Sequence, residues 1–301
     1  MKLIPILVAG ILAVSSAGDA IAKEKPIRNS VLKKVKIEAL SHKSKYRFAL
    51  VKDFARRGSK SQRFEIRHGD CGKSSGWNDC DTDRGRVEMK EKPKNAMSKP
   101  GQGVWYGYSM FIPKSFQSLG RANTLLGQVK AEGWLTPMWW LTFNDRPYLK
   151  FADGQECKLG SLSSWKGRWI DITIYAHYGH SGQKTYFQLY KDGRVICEKR
   201  SPFMPAEYRK KKPKLGLKYG IYNSFVSRYL AARGKTPAEA KAYKQSHESG
   251  KSKSPSPTPF KFDWGVELPT HVVFYDEMRY GSRREDVDVK MLEARGVPPV
   301  D

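Results

Sequence analysis

Short stretches of alternating apolar and polar residues run through most of the chain, separated by Gly, Pro, Asn and Asp. Alternation with a period of two indicates a strand with one buried face, because successive side chains of a strand point to opposite sides of its sheet. The clearest runs are residues 63–68, 86–90, 104–112, 139–143, 168–178, 185–191, 215–222 and 271–280. The pattern predicts an all-β fold.

Dividing each run by odd and even positions gives an apolar side and a side rich in cations, amides and aromatic rings. An ordinary sandwich whose outer faces only meet water is one explanation of these polar sides. Their composition also suits the binding of sugar rings and carboxylates. On this basis Gly216 and Gly220 are expected to leave room for a ligand. The polar set comprises Arg63, Glu65, Arg67, Arg86, Glu88, Lys90, Gln128, Lys130, Trp169, Asp171, Thr173, Tyr175, His177, Lys218 and Tyr222.

One region departs from the strand pattern. Residues 225–244 carry helix-favouring Ala, Arg, Lys and Glu, and residues 245–259 are rich in Ser, Lys and Pro. We predict a surface insertion at about 225–259 within a single domain that spans residues 46–301. A basic lead, residues 23–45, precedes this domain.

The first 22 residues have the features of an export signal: Lys2, an apolar run over residues 3–14, and a small-residue cleavage site at 20–22. The apolar run is shorter than the roughly 18 residues that a membrane span needs. We therefore predict a secreted or periplasmic protein with no membrane span.

The chain has 55 Lys and Arg against 30 Asp and Glu, a formal net charge of +25. Such a charge favours a polyanionic partner, although it can also serve solubility alone. Nucleic acid is the usual partner of a basic chain, but export favours acidic polysaccharides or envelope surfaces instead. We expect an acidic polysaccharide partner, no nucleic acid, and a monomer.

Four cysteines remain after removal of the signal, and an even number in an oxidising compartment indicates two disulfides. Three pairings are possible. We favour Cys71 with Cys80, which closes a short loop, and Cys157 with Cys197, which links two strand ends.

Asp79, Asp81 and Asp83 alternate as the ligands of a calcium loop do. Gly85 lies one position too late for an EF-hand, and Lys90 stands where the bidentate Glu belongs. A looser structural calcium site is left open, and no cofactor is expected to be required.

Five segments together resemble the jelly-roll polysaccharide lyases of the heparin lyase I and glucuronan lyase group, and more distantly the alginate lyases of the same architecture. The likeness runs from about Arg63 to Gly281. The segments are residues 63–70 (RFEIRHGD), 86–88 (RVE), 105–113 (WYGYSMFIP), 128–130 (QVK) and 218–223 (KYGIYN).

This resemblance implies a jelly-roll sandwich of two antiparallel sheets that cleaves a uronate-containing polysaccharide by β-elimination. In the alginate-lyase version, a Gln-x-His element, an Arg-x-Glu strand and a Lys-x-Gly-x-Tyr strand line the cleft. This chain departs from it at Lys130, which stands at the position of the His. Such chemistry needs cations and hydrogen-bond donors to neutralise the uronate carboxylate, and a group that moves protons.

The catalytic candidates are Gln128 and Arg86 for neutralisation, Tyr222 as base and acid, and His177 as the alternative base. Neighbouring cations are expected to favour the phenolate form of Tyr222. A packed tyrosine and a purely structural histidine are the plainer readings of Tyr222 and His177. The candidates for substrate binding are Arg63, Arg67, Lys130, Lys218, Glu88, Tyr175 and Asn223, with Glu88 expected to orient an arginine.

Two other functions use the same features. A lectin-like binding module would have the groove without turnover. A glycoside hydrolase needs two carboxylates that flank the scissile bond. Asp276 and Glu277 are adjacent, so a strand would direct them to opposite faces.

Overall fold

The structure is a computed structural model that describes residues 35–38, 44–74, 77–92, 98–131, 136–180, 183–211, 213–238, 240 and 259–300. The predicted signal, most of the basic lead and residues 241–258 of the predicted insertion lie outside the described residues. Within the lead, residues 35–38 form a strand that pairs with residues 88–91.

Two seven-stranded antiparallel sheets pack face to face, as in a jelly roll. The front sheet has the order β1 (Val35–Glu38), β6 (Arg84–Glu91), β15 (Leu215–Ser224), β8 (Asn123–Ala131), β9 (Pro137–Thr142), β10 (Tyr148–Phe151) and β11 (Glu156–Lys158). The back sheet has the order β14 (Arg194–Lys199), β13 (Tyr186–Lys191), β12 (Trp169–His177), β7 (Gly103–Phe111), β16 (His271–Gly281), β3 (Lys60–Ile66) and β2 (Phe48–Lys52).

The predicted all-β jelly-roll fold is thereby confirmed, and all eight alternating runs form strands. The edge strands of both sheets, β1, β2, β11 and β14, lie outside the predicted runs, and so do β8 and β10. A two-stranded hairpin, β4 (Lys73–Ser74) and β5 (Trp77–Asn78), precedes β6. The described residues also form the short α-helices α1 (Ala206–Lys211), α2 (Ser227–Arg233) and α3 (Val289–Ala294), together with several 3-10 turns.

The main core lies between the sheets and is formed by the apolar side of each strand. Burial of that side keeps the strand register, because a slip of one residue would expose every apolar side chain. In β15, for example, Leu217, Tyr219 and Ile221 are fully buried. The opposite parity of the same strand therefore faces outward.

The predicted insertion begins with a packed segment. Val226, directly before α2, and Leu230, within it, are fully buried in a second apolar cluster with Leu119, Trp264 and Leu268. Because this cluster follows directly on β15, it fixes the end of that strand.

A disulfide joins Cys157 of β11 to Cys197 of β14, which confirms that predicted pairing. The bridge connects an edge strand of the front sheet to an edge strand of the back sheet. Cys71 is also disulfide-bonded. The side chain of Cys80 lies outside the described residues, so its pairing with Cys71 stays a prediction.

Candidate active site

Three adjacent strands of the front sheet bring five of the predicted site residues to its outer face. Arg86 and Glu88 come from β6, Lys218 and Tyr222 from β15, and Gln128 from β8. Tyr222 lies directly opposite Arg86, and Lys218 lies between Lys90 and Gln128 in the register. The alternate residues of these strands are in the core, so the five side chains form one cluster outside it.

Glu88 lies at the centre of this cluster and is almost completely buried. Its Oε1 accepts a hydrogen bond of 2.7 Å from Nε2 of Gln128. Its Oε2 lies 3.7 Å from Nη1 of Arg86 and 3.7 Å from Nζ of Lys218. A buried carboxylate needs such partners, because burial without compensating charge is costly. Glu88 thus holds an amide and two cations in fixed positions.

The guanidinium of Arg86 packs over the ring of Tyr222, 4.4 Å from the ring centroid. Burial raises the pKa of the Tyr222 hydroxyl, and the charges of Arg86 and Arg84 lower it by less. Asp79 and Glu88 add a further rise. The neighbouring cations therefore favour the phenolate, as expected, but burial outweighs them and the pKa of Tyr222 lies above its usual value in the protein without substrate. Tyr222 is a neutral phenol at neutral pH.

Asp79 belongs to this site but was not predicted as part of it. Its two carboxylate oxygens accept hydrogen bonds from Nε and Nη2 of Arg86, at 2.6 and 2.7 Å. The carboxylate is 1% exposed. This bidentate pair fixes the plane of the guanidinium. Strand alternation could not identify Asp79, because it lies in a short 3-10 helix before β6 and not in a strand.

The three aspartates considered for calcium bind different partners. Asp79 binds Arg86, Asp81 accepts 2.6 Å from Nδ2 of Asn78, and Asp83 accepts from the backbone and hydroxyl of Ser227. Within the described ranges, no three His, Cys, Asp or Glu side chains come together as a metal site would need. The three aspartates do not converge on one ion.

Two further side chains, one cationic and one aromatic, extend the outer face of the front sheet across β8 and β9. Lys130 lies two residues after Gln128 on the same side of β8 and is half-buried. Trp140 of β9 lies directly opposite Gln128, and its neighbour Trp139 is in the core. Trp140 was missed, although the alternation of run 139–143 could have identified it as outward-facing.

Four predicted residues lie on the back sheet or directly beside it. Arg63 of β3 and Arg67, the residue that follows the end of β3, both pair with Glu65, and Tyr175 and His177 are on β12. The outer faces of a sandwich point away from each other, so the structure does not bring these residues together with Tyr222. Alternation identifies the face of a strand but not the sheet that contains it.

Asn223 is also separated from the cluster. It follows Tyr222 directly in β15, so its side chain points to the other side of the sheet. There it is buried and accepts a hydrogen bond of 2.9 Å from the hydroxyl of Thr124. This contact holds the end of β15 against β8.

The fold and the site thus define a β-sandwich protein with an outer sheet face that carries cations, an amide and a tyrosine. The model of the family described as polysaccharide lyase matches residues 29–279. The chain belongs to this family, and it is a lyase enzyme that acts on polysaccharide. No curated protein matches the chain.

Several solved structures are similar in architecture. An alginate lyase of polysaccharide lyase family 7 has a TM-score of 0.49 and 11% identity over 85% of this chain and 97% of its own. An alginate lyase from Klebsiella pneumoniae has a TM-score of 0.46 and 12% identity over 80% and 85%. A cellulose induced protein has a TM-score of 0.46 and 11% identity over 84% and 93%. Likeness at this level says nothing about the substrate.

Proposed function

We propose that the chain cleaves an acidic, uronate-containing polysaccharide by β-elimination on the outer face of β6, β15 and β8. The observation that carries this proposal is the cluster of Arg86, Gln128, Lys218 and Tyr222 around one buried carboxylate. The order of the five resembling segments along the sequence supports placing the chain in the heparin lyase I and glucuronan lyase-like group.

The first step neutralises the uronate carboxylate. Removal of the proton at C5 delocalises negative charge onto this carboxylate, so fixed cations and donors lower the barrier. Gln128 and Arg86 supply them, with Lys218 and Lys130 beside them. Glu88 and Asp79 hold the donors in place before substrate arrives, and preorganised groups avoid reorganisation during the reaction.

Tyr222 then moves the proton. Its phenolate oxygen takes the C5 proton, the C–H electrons form the C4–C5 double bond, and the bond from C4 to the glycosidic oxygen breaks. The phenol so formed gives its proton to the departing oxygen. Because the pKa of Tyr222 is raised by burial, only a small fraction is phenolate at neutral pH. The rate therefore follows that fraction.

The geometry supports assigning this role to Tyr222 rather than to His177 or Tyr175. Both alternatives are on β12 of the back sheet. Tyr222 is half-buried and lies directly opposite Arg86. If the cluster bound the polysaccharide without cleaving it, the chain would instead be a lectin-like module.

We also propose secretion or a periplasmic location, action as a monomer, and no required cofactor. The disulfide between Cys157 and Cys197 supports an oxidising compartment. Among the described residues, no helix is long and apolar enough to cross a membrane.

The test is incubation with separate samples of glucuronan, alginate, heparin and a bacterial exopolysaccharide while ultraviolet absorbance is followed. A new C4–C5 double bond conjugated to the carboxylate absorbs, so a rise with at least one polymer is expected. Shortened chains without that absorbance would indicate hydrolysis instead. Binding without shortening would indicate the lectin-like module.

A further inference from the structure

A row of aromatic rings crosses three adjacent strands on the outer face of the back sheet. Trp105 of β7 lies directly opposite Tyr175 of β12, with ring centroids 4.8 Å apart. Tyr186 of β13 follows at 5.9 Å from Tyr175. All three rings are half-buried, and their chain neighbours Val104, Ala176 and Phe187 are in the core. The rings therefore lie on the solvent side of the sheet.

Hydrogen-bonding side chains border this row. Gln188 lies opposite Tyr175, and its Nε2 donates 3.0 Å to Glu198. Arg200 pairs with Glu198 at 2.6 Å, and its guanidinium lies 5.0 Å from the centroid of the Tyr186 ring. Aromatic surface with a few polar groups at its border suits sugars, since each sugar ring has an apolar face and a rim of hydroxyls.

The charge beside the row is positive. The side chain of Arg200 is 76% exposed despite its ion pair. Helix α1 is connected to the loop after β12 through Nδ1 of His180, which lies 2.9 Å from the carbonyl oxygen of Arg209. The helix continues with exposed Lys210 and Lys211. A local excess of cations attracts a polyanion and not a neutral chain.

We propose that Trp105, Tyr175 and Tyr186, together with Arg200, form a second, non-catalytic binding surface for an acidic polysaccharide. The chemical class of this ligand rests on the proposed function. The surface lies on the opposite outer face of the sandwich from Tyr222, so it is separate from the catalytic site on β6, β15 and β8. It binds another stretch of polymer and raises the effective concentration of substrate at the front sheet.

The back sheet supplies matched controls. Trp169 is a second half-buried tryptophan on the outer face, at the other end of β12, where it packs with Phe54 and Phe111. Arg168 is an exposed arginine that pairs with Asp192 at 2.7 Å, much as Arg200 pairs with Glu198. Trp105→Ala and Trp169→Ala remove equal rings, and Arg200→Ala and Arg168→Ala remove equal charges.

The experiment measures the affinity of the full chain carrying Tyr222→Phe for glucuronan, alginate and heparin by affinity electrophoresis, with thermal unfolding as the folding check. Trp105→Ala and Arg200→Ala should each weaken binding of at least one polymer, by about tenfold for the tryptophan. The two control variants should bind as the parent does. Unchanged affinity in Trp105→Ala and Arg200→Ala, or equal losses in the controls, would overturn the proposal. If Trp105→Ala does not fold, the affinity of Arg200→Ala compared with that of Arg168→Ala tests the proposal.

Failure of this proposal can be told apart from failure of the proposed function. Cleavage by the unmodified chain is read separately, from the absorbance of the unsaturated product. Cleavage together with unaltered binding in the variants defeats only the second surface. Weakened binding without cleavage of any polymer supports the surface and defeats the lyase chemistry proposed for Tyr222.

Discussion

At the residue scale, Tyr222 is subject to two opposing effects. Burial stabilises its neutral form, while the guanidinium of Arg86 stabilises the phenolate. Burial is the larger effect, so the free enzyme keeps the proton on Tyr222. A base that is rarely ionised but well placed still acts, at a rate proportional to its ionised fraction.

Tyr222→Phe tests the proton transfer directly. The change removes one hydroxyl and keeps the ring under Arg86, so kcat should fall by about 10²- to 10⁴-fold, with KM and stability nearly unchanged. Steady-state kinetics on the polymer found by the absorbance screen provides the measurement. Tyr219→Phe is the control, because Tyr219 is on the same strand but donates to Gln62 in the core. A normal kcat in Tyr222→Phe would remove this residue from the mechanism.

The pH profile tests the ionisation of Tyr222. Since its pKa is raised above the usual value, kcat/KM should rise about tenfold per pH unit through neutral and mildly alkaline pH, as the phenolate fraction does. Asp79→Asn removes a negative charge that raises this pKa, so the rise of kcat/KM with pH should occur at lower pH in this variant. The same variant should lose kcat/KM because Arg86 loses its bidentate partner. A kcat/KM that does not change with pH, or a rise that moves to higher pH in Asp79→Asn, would contradict this account.

At the element scale, β15 carries both the catalytic tyrosine and an irregularity. Its register with β8 shifts between Tyr219 and Tyr222, and Gly220 between them has a φ of 123°. A Cβ at Gly220 would lie 2.4 Å from the carbonyl oxygen of Val87. The backbone conformation at this position therefore requires glycine. The sequence-based expectation that Gly220 leaves room for a ligand is wrong.

Gly220→Ala should destabilise the protein by about 2 kcal/mol or more, because the new methyl group meets backbone and the φ is unfavourable for alanine. Gly216→Ala in the same strand should change stability by less than about 0.5 kcal/mol, since its Cβ would have ordinary contacts of 3.7 Å. Urea unfolding of both variants gives the comparison. Equal midpoints would contradict the backbone role of Gly220.

At the scale of the whole molecule, the bridge between Cys157 and Cys197 joins the two sheets at one edge across a sequence separation of 40. Loop-closure entropy predicts a loss of about 4 kcal/mol when it is removed. We expect Cys157→Ser with Cys197→Ser to lower the urea midpoint accordingly, with the β-sheet circular dichroism retained. Thiol titration controls for the state of the remaining cysteines. An unchanged midpoint would show that packing alone closes this edge.

The net charge of +25 governs binding of the polymer as a whole. Screening shortens from about 30 Å at 0.01 M salt to about 8 Å at 0.15 M, so affinity for the acidic polymer should fall markedly over this range. Isothermal titration of Tyr222→Phe at the two ionic strengths measures the effect, and uncharged dextran serves as the control. An affinity independent of salt would be incompatible with recognition by charge.

Local information predicted much of the fold because alternation reports burial residue by residue. It identified the eight central runs and the polar sides of β6, β8 and β15. It did not identify the short edge strands, each of which pairs with a neighbouring strand on one side only. It also did not identify Asp79, which acts from a turn and enters the site only through the position of Arg86.

The sequence by itself determined the all-β class, the outward set on each strand, the positive charge and the family, because these depend on local pattern and composition. The tertiary structure alone decided which outward sets share a face. It separated Arg63, Tyr175 and His177 from Tyr222, because strands distant in the chain are assigned to sheets by long-range pairing. It also decided the protonation of Tyr222, since burial and the distances to Arg86 and Asp79 exist only in the folded chain.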